Sequence, residues 1–260
     1  MHLSALYVYP IKSCGGVRLE QARLGPRGLE HDRRFMLVDE AGEFVTQRQV
    51  PRMALFRCAL LPGGVRVSHA EAGEIGLPLE AQGERVNVRV WRDRLSAIHC
   101  REGSEYFSQA LERPLRLVRL PKEATRVANP ARAGEHHLVS FADGYPLLLT
   151  NASSLADLET RADREFSMLR FRPNLVIEGL EPWAEDELGG FELGGVPMRS
   201  VKPCERCSIT CVDPETGERE VEPLRTLSRF RTIDGRVLFG VNVVHDAEGS
   251  LRVGDALSVT

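Results

Sequence analysis

The sequence predicts a mainly β protein with a few helices, of the α+β class, and three observations support this. Short apolar segments with period-two alternation recur along the chain, Gly and Pro turn signals separate them, and few segments show helical periodicity. The chain has 260 residues, 42% of them hydrophobic and 27% charged. This length allows one large domain or two ordinary ones, and the composition excludes a disordered or fibrous protein.

The first hundred residues predict a series of short strands, which favours a small β-barrel or sandwich as an N-terminal domain. In one of them, Val86, Val88 and Val90 alternate with polar residues, as expected for half-buried sheet. The predicted strand segments are 3–11, 17–24, 34–47, 53–61, 64–70, 74–80 and 84–91.

A helix is predicted over 104–113, because Tyr106 and Ala110 share one face and Pro114 stops it. The following segment, 121–140, contains Pro, Ala and Gly without sustained periodicity. It predicts an exposed connection between two halves.

The domain boundary is therefore expected near residue 120. An N-terminal β-barrel-like domain would span 1–120, and a second, strand-rich domain would span 121–260.

The second half predicts strand 146–150 followed by a helix over 153–162. Asn151 and Ser153 offer side-chain caps, and Ser154 with Asp157 resembles a capping box. The remaining predicted strand segments are 171–179, 191–203, 207–217, 237–246 and 250–260, with a helix over 222–231.

Composition narrows the class of partner. The net charge is -3 without a basic block, which gives no reason to expect nucleic acid. No apolar run approaches the roughly 20 residues that span a bilayer, so no membrane insertion is expected. The N-terminal segment lacks the basic leader of a signal peptide, and a cytoplasmic location is the expectation.

Three of the six cysteines, Cys204, Cys207 and Cys211, lie within eight positions and indicate metal or redox chemistry. A zinc site would need Cys211 with His245 or Cys14. A thioredoxin-type dithiol normally opens a helix, whereas this motif runs into a β-like segment. Inert buried thiols are a third reading. The fourth is a single thiolate that binds a cofactor-borne metal.

The fourth reading requires groups elsewhere that bind anions. Lys12 and Ser13 precede two glycines in a loop whose backbone N–H groups, ammonium and hydroxyl are suited to phosphate. Asp32, Arg33 and Arg34 stand at a strand start, where an ion-pair cluster is the alternative. Two further candidates, Arg172 and Asn174, stand beside an apolar strand.

Together the motifs YPIKSC, GLEHDRRFMLVD, FRPN, PCERC with VDPETG, FGVN and RVGD resemble the MOSC family. They keep the family's order over nearly the whole chain. The resemblance implies an N-terminal β-barrel domain followed by a MOSC β-barrel domain. The resemblance is to bacterial relatives of the amidoxime-reducing branch.

The resemblance implies a molybdenum enzyme whose metal is carried by a molybdopterin, with Cys207 as a protein ligand. Cys204 is then a packed thiol rather than a ligand. Arg33 is left out of the site, because spacing before its neighbour varies in the family, and the role of Asn242 stays open. The residues implied to hold the pterin and its phosphate are Lys12, Ser13, Arg34, Asp143, Gly144, Arg172, Asn174 and Arg206. Pyridoxal phosphate binding is also ascribed to the family as a whole.

The implied activity is reduction of N-hydroxylated compounds such as hydroxylamines, amidoximes or N-hydroxylated bases. The alternative is a carrier in which Cys207 holds a persulfide or passes on the molybdenum cofactor. No cysteine spacing indicates an iron–sulfur cluster, so a separate ferredoxin, flavoprotein or cytochrome is expected to donate electrons. His136 and His137 are interpreted as exposed loop histidines rather than catalysts.

Overall fold

A computed structural model describes residues 1–80 and 82–259. The strands are β1 (His2–Val8), β2 (Val17–Leu19), β3 (Gln21–Gly25), β4 (Gly28–Leu29), β5 (Phe35–Val38), β6 (Arg57–Leu61), β7 (Gly64–His69), β8 (Gly73–Pro78), β9 (Arg85–Val90), β10 (Asp93–Cys100), β11 (Arg116–Arg119), β12 (Leu147–Asn151), β13 (Leu175–Glu178), β14 (Gly190–Leu193), β15 (Val196–Glu205), β16 (Thr232–Ile233), β17 (Arg236–His245), β18 (Gly249–Arg252) and β19 (Leu257–Val259). The α-helices are α1 (Arg101–Ala110), α2 (Pro130–Ala133), α3 (Ala152–Ala162) and α4 (Leu224–Phe230), and 3-10 helices occupy Pro51–Leu55, Met168–Arg170, Ala184–Glu187 and Ser208–Cys211. Within the described part of the chain, no helix is both long and apolar enough to cross a membrane.

The largest sheet combines strands from both ends of the chain. Its order is β19-β14-β15-β17-β12-β13-β1-β2, with β16 paired to β17. β1 runs antiparallel to β13, and Leu6 lies opposite Leu175. The buried aliphatic side chains of these strands form the largest apolar core, which fixes the register of the sheet.

Three smaller sheets complete the fold, in the orders β5-β11-β10-β9, β6-β7-β8 and β18-β3-β4. A second core, which includes Phe35, Phe56 and Phe107, packs beneath α1. The prediction of a mainly β protein with some helices is confirmed.

The two halves of the chain share hydrogen-bonded sheets. Besides the pairing of β1 with β13, β3 pairs with β18, so two strands of the first 25 residues are bonded to strands of the second half. The division into 1–120 and 121–260 stays a prediction, and Thr260 itself lies outside the described residues.

Two predicted helices are present with different ends. α1 begins three residues earlier than predicted because β10 leads directly into it, and it ends before Pro114 where Glu112 takes a left-handed φ of 53°. α4 is shorter than the predicted 222–231, since the Glu222 carboxylate lies outside the helix and accepts the N–H of Thr226.

The cap of α3 is confirmed, but the capping box is wrong. The Asn151 side chain accepts the N–H of Ser153 at 3.1 Å. The hydroxyl of Ser154 instead donates to the buried Glu185 carboxylate at 2.7 Å. Asp157 accepts from Arg161 on the helix surface, so neither box partner reaches the other's backbone.

Two segments predicted as strand form turns. The segment 34–47 leaves the sheet after Val38, because the Asp39 carboxylate accepts the N–H groups of Ala41 and Glu43 and turns the chain. The β-like segment after Cys207 is a 3-10 helix. Both turns position residues of the candidate site.

The segment 121–140 is largely exposed, as predicted, but a few buried residues anchor it to the second half. Ala128, Ala133 and Val139 form a buried cluster with Val244 of β17. The Arg126 side chain is also buried and donates to the carbonyls of residues 140, 142 and 143. These contacts fix the chain that enters the candidate site.

Candidate functional site

An open cavity of about 130 Å³ lies where the two halves meet. It is lined by Lys12, Ser13, Arg33, Thr46, Arg48, Ala142, Asp143, Gly144, Tyr145, Leu147, Leu148, Phe171, Arg172, Asn174, Cys204, Glu205, Arg206, Cys207, Ile209 and Asn242. The cavity thus brings together every residue predicted for the site except Arg34.

Cys207 is an exposed thiol at the beginning of a 3-10 turn. β15 carries the chain to Glu205, and the N–H of Arg206 then bonds to the carbonyl of Val237 on β17. The Cys207 carbonyl accepts both the N–H and the hydroxyl of Thr210, at 3.1 and 3.0 Å. These bonds fix the backbone of Cys207 and leave its thiol directed to the cavity.

Cys204 differs from the packed thiol expected of it. It lines the same cavity, is only partly buried, and its Sγ accepts from Arg206 Nη1 at 3.0 Å. Arg206 Nη2 donates to the carbonyl of Phe171 at 2.7 Å, which fixes the guanidinium. The C-x-x-C motif therefore places two thiols at one cavity, each near a different arginine.

Lys12 and Asp143 form an ion pair between the two halves. Lys12, 6% exposed, donates to this carboxylate and to the carbonyl of Phe141. Burial lowers the pKa of the Lys12 ammonium, and Asp143 opposes that shift. Desolvation would raise the pKa of Asp143, but the charge and hydrogen bond of Lys12, with a bond from Trp91, hold it well below its usual range.

Two backbone N–H groups of the loop after Lys12 already have partners within the chain. The N–H groups of Cys14 and Gly15 bond to the carbonyls of Ile11 and Phe56, so they are not available for phosphate. A Cβ at Gly16 would lie 2.6 Å from the Tyr9 ring. The glycines therefore allow close packing, while Lys12 and Ser13 supply the polar groups.

Three cavity residues hold a left-handed backbone that non-glycine residues rarely adopt. The φ angles are 69° at Ser13, 47° at Arg33 and 56° at Arg172. Such conformations are strained and cluster at functional sites. All three side chains line the cavity, which supports its role as the functional site.

The ring of Tyr9 separates two cavity arginines. The guanidinium carbons of Arg33 and Arg172 lie 4.4 and 4.2 Å from its centroid. Arg172 Nη1 donates to the carbonyl of Cys14, but its buried Nη2 has no hydrogen-bond partner among the described residues. Burial, with repulsion from Arg33, lowers the pKa of Arg172. The cavity wall thus holds a buried cationic donor without an acceptor.

Asn174 orients its neighbours. Its Oδ1 accepts from Arg33 Nη1 and from the N–H of Leu148, and its Nδ2 donates to the carbonyl of Tyr7. Asn242 also lines the cavity, and its Nδ2 makes only long bonds, of 3.4 and 3.5 Å, to the carbonyls of Lys202 and Pro203. Asn242 thus retains polar atoms for a bound molecule.

Arg34 does not reach the cavity, and its neighbour Arg33 takes the place expected for it. Arg34 donates to the carbonyl of Leu120 and lines a separate surface pocket with Arg27 and Glu80. The left-handed backbone at Arg33 turns its side chain to the cavity, where Asp32 binds it at 2.6 Å. The site assignment therefore moves from Arg34 to Arg33.

Sequence reasoning missed Arg48. The turn after β5 brings it to the cavity, with Nη1 3.8 Å from Cys207 Sγ and the guanidinium 4.8 Å from the Trp91 ring. The sequence left it between two predicted strand segments, 34–47 and 53–61, where no motif distinguishes it from a solvated arginine.

The histidines and the remaining cysteine do not build a competing site. His136 is exposed, while the partly buried His137 lies 3.5 Å from Asp246, and neither lines the cavity. Cys211 is buried with its Sγ near the carbonyl of Val221. Among the described residues, no group of three His, Cys, Asp or Glu side chains is arranged to hold a metal ion.

The cavity carries more positive than negative charge. Five cationic side chains, of Lys12, Arg33, Arg48, Arg172 and Arg206, line it together with two carboxylates, of Asp143 and Glu205. The fold and this cavity define a β protein that presents one exposed thiol within a pocket suited to an anionic ligand.

Family comparisons agree with this class. The profile described as the MOSC N-terminal beta barrel domain matches residues 1–114, and that of the MOSC domain matches 136–258. The chain belongs to the MOSC family.

Two kinds of relative are found. Mitochondrial amidoxime-reducing component 1 of Homo sapiens is 30% identical, over 97% of this chain and 81% of its own length. The Mus musculus protein of that name is 31% identical, over 97% and 80%. Molybdenum cofactor sulfurase of Danio rerio is 31% identical over 94% of this chain, which covers 32% of that protein.

Solved structures add little. The YUAD protein from Bacillus subtilis aligns with 98% of this chain and 92% of its own, with 9% identity and a TM-score of 0.45. A likeness at this level carries no argument about function.

Proposed function

We propose that this chain is a molybdenum-cofactor oxidoreductase that reduces N-hydroxylated compounds such as hydroxylamines, amidoximes or N-hydroxylated bases. The observation that carries the proposal is the exposed thiol of Cys207 in a cavity rich in cationic donors. Relatives named as amidoxime-reducing components support the reaction class.

The residues present fit the cofactor that the family implies. A molybdopterin carries an anionic phosphate and a thiophilic metal, which require cationic donors and a thiolate. Arg172 Nη2 and Arg206 Nε are buried and have no acceptor among the described residues. Leaving such donors unpaired costs about 1 to 3 kcal/mol each, so a bound anionic group would stabilise both.

The expected roles follow from placement. Cys207 would be the protein ligand of the metal, and Asp143 and Gly144 would border the pterin from the second half of the chain. Asn174 would act by orienting Arg33. The groups that would bind the phosphate and the polar pterin edges are Lys12, Ser13, Arg33, Arg172 and Arg206.

The reaction consumes two electrons and two protons and converts an N–OH compound to the amine and water. When bound, the cofactor supplies the two-electron chemistry for this conversion. The chain contributes a thiol fixed by the 3-10 turn and a cationic clamp, and Phe171, Leu148 and Ile209 provide the apolar part of the wall. Electrons would come from a separate ferredoxin, flavoprotein or cytochrome, and a cytoplasmic location stays a prediction.

A carrier of sulfur or of the cofactor is the second candidate. The match to molybdenum cofactor sulfurase favours it, as does the second thiol, Cys204, at the same cavity. A pure persulfide carrier, however, has no need of a cavity lined by five cationic side chains. The reductase therefore stays the first candidate.

The experiment that separates the two uses protein produced in a host that makes molybdopterin. The protein is reduced with dithionite without oxygen and mixed with benzamidoxime, and benzamidine is measured by chromatography. We expect multiple turnovers, and Cys207→Ala should abolish them. No product above the Cys207→Ala background, with a persulfide on Cys207 in mass spectra, would contradict the reductase and favour the carrier.

A further inference from the structure

Arg48 differs from the other cations of the cavity in how it is held. Lys12, Arg33, Arg172 and Arg206 each donate to a carboxylate or a carbonyl. Among the described residues, the only hydrogen bond of the Arg48 side chain is the long contact to Cys207 Sγ, at 3.8 Å. Most of its N–H donors therefore remain available beside the reactive thiol.

Two aromatic rings hold this guanidinium in place. Its carbon lies 4.8 Å from the Trp91 ring and 5.8 Å from the Phe44 ring, and the two rings are 5.2 Å apart. The Trp91 indole donates to Asp143 at 3.0 Å, which anchors the ring to the opposite half of the chain. Cation–π contacts use the face of a guanidinium, whereas its hydrogen bonds leave from the edge. The aromatic shelf of Phe44 and Trp91 thus orients Arg48 without consuming its donors.

The shelf adjoins the cavity through its contacts with two lining residues, Arg48 and Asp143. Trp91 is 45% exposed and holds a left-handed backbone, with φ of 56°, in the turn between β9 and β10. A strained and exposed tryptophan costs stability, and its place beside Arg48 fits a role in binding.

We propose that Arg48 is a substrate-binding residue that gives this enzyme a preference for N-hydroxylated compounds bearing a carboxylate near the N–OH group. The planar fork of a guanidinium matches the two oxygens of a carboxylate, and it repels cationic substrates. Trp91 is the positioning residue that holds the fork. The inference rests on the proposed reductase function.

Steady-state kinetics test the preference. The substrates are benzamidoxime, its 4-carboxy derivative and its 4-aminomethyl derivative, which differ in charge at one position. We expect the wild type to favour the carboxylate over the neutral compound by about 10-fold in kcat/KM, mainly through KM, as a charge-assisted hydrogen bond allows. Arg48→Gln should reduce this ratio to about 1, and Arg48→Lys should keep part of it.

The matched control is Arg94→Gln, which removes the same charge from an exposed position on β10 outside the cavity lining. It should keep the wild-type ratio. An unchanged ratio in Arg48→Gln would overturn the proposal. So would an equal loss for all three substrates, or a loss of molybdenum from Arg48→Gln, because either would assign Arg48 to the cofactor.

Tryptophan fluorescence tests, without turnover, whether a carboxylate binds at Arg48 beside Trp91. The chain has two tryptophans, so Trp183→Phe leaves Trp91 as the only one. We expect benzoate to change Trp91 emission with saturation, benzylamine to have no effect, and Arg48→Gln to abolish the benzoate response. If Trp183→Phe does not fold, the difference between wild type and Trp91→Phe reports the same signal.

The kinetic and fluorescence measurements distinguish a failure of the reductase function from a failure of the role proposed for Arg48. A benzoate response without turnover of any substrate would contradict the reductase function and leave the anion site in place. Turnover without a benzoate response would overturn the role of Arg48. For Trp91, we expect Trp91→Leu to lower the carboxylate preference at unchanged molybdenum content, and Trp91→Phe to restore most of it.

Discussion

At the residue scale, the cavity combines strain with unpaired charge. Ser13, Arg33 and Arg172 hold left-handed backbones, and Arg172 retains a buried donor without an acceptor among the described residues. A left-handed conformation costs an L-residue roughly 1 to 2 kcal/mol. These features destabilise the ligand-free chain and would be offset by a bound anionic group.

Ser13→Gly tests this strain. Glycine adopts positive φ readily, so we expect the free energy of unfolding of the ligand-free protein to rise by up to about 1 kcal/mol, after the entropy cost of glycine. Molybdenum content should fall, because the Ser13 hydroxyl is lost from the cavity. Urea denaturation and metal analysis measure the two effects.

Glu112→Gly is the control, since Glu112 has a φ of 53° at the end of α1, outside the cavity lining. It should show a similar stability gain with normal molybdenum content. Equal molybdenum loss in both variants would remove Ser13 from the site.

Eight of the nine residues expected for the site line the cavity, but the choice of Arg34 over Arg33 was wrong. Neighbouring side chains of an extended chain point to opposite sides, so the choice depends on one dihedral angle. At Arg33 that angle is left-handed, and the Asp32 carboxylate that binds its guanidinium is itself fixed by the N–H of Tyr9. No local pattern reports that contact.

At the scale of single elements, α3 depends on one buried cap. Asn151 is fully buried; its Oδ1 accepts the N–H of Ser153, and its Nδ2 donates to Glu185 and to the carbonyl of Glu181. The helix packs on β13 and β12, two strands of the main sheet that flank the cavity.

Asn151→Ala should lower the free energy of unfolding by about 2 kcal/mol, since it removes a cap and leaves buried partners unpaired. Asn129→Ala is the comparison, because Asn129 caps only the four-residue α2 at an exposed bond. Its loss in free energy of unfolding, measured by urea denaturation, should be less than half of the loss in Asn151→Ala. If Asn151→Ala lowered the free energy of unfolding no more than Asn129→Ala does, the role given to the buried hydrogen bonds of Asn151 would be contradicted.

Periodicity predicted the strands well and the turns poorly. The valines of β9 alternate in burial, as their spacing indicates. The turn at Asp39 and the 3-10 helix after Cys207 follow instead from a few local hydrogen bonds, which override apolar patterning. Arg48 lies between two predicted strands, where no pattern marked it as a cavity residue.

At the scale of the whole molecule, the cavity exists because distant segments meet. Lys12 comes from the first half and Asp143 from the second, and the pairing of β1 with β13 brings their neighbourhoods together. Sequence patterns indicated both halves, but pairing across about 170 positions is determined by the shared core and not by local spacing.

The Lys12 pair predicts a pH dependence. The folded pKa of Asp143 is lowered, so its contribution to stability is present above its unfolded value, near 3.9, and is lost as the pH falls through the folded pKa. Asp143→Asn should therefore destabilise the protein at pH 7, by at most about 1 kcal/mol because the side chain is 61% exposed.

The difference in free energy of unfolding between wild type and Asp143→Asn should become smaller below pH 4. Urea denaturation midpoints at pH 7 and pH 3 measure it. Glu192→Gln, on an exposed face of β14, is the control and should show little change at either pH. A difference that is constant with pH would contradict the ion-pair account.

Metal and pterin analysis tests the central claim most directly. Wild type, Cys207→Ala and Cys204→Ala are purified from a host that makes molybdopterin, and molybdenum is measured per chain. We expect near-stoichiometric molybdenum in the wild type and in Cys204→Ala, and little in Cys207→Ala. Zinc in place of molybdenum, or molybdenum unaffected by Cys207→Ala, would contradict the assignment of Cys207 as the metal ligand.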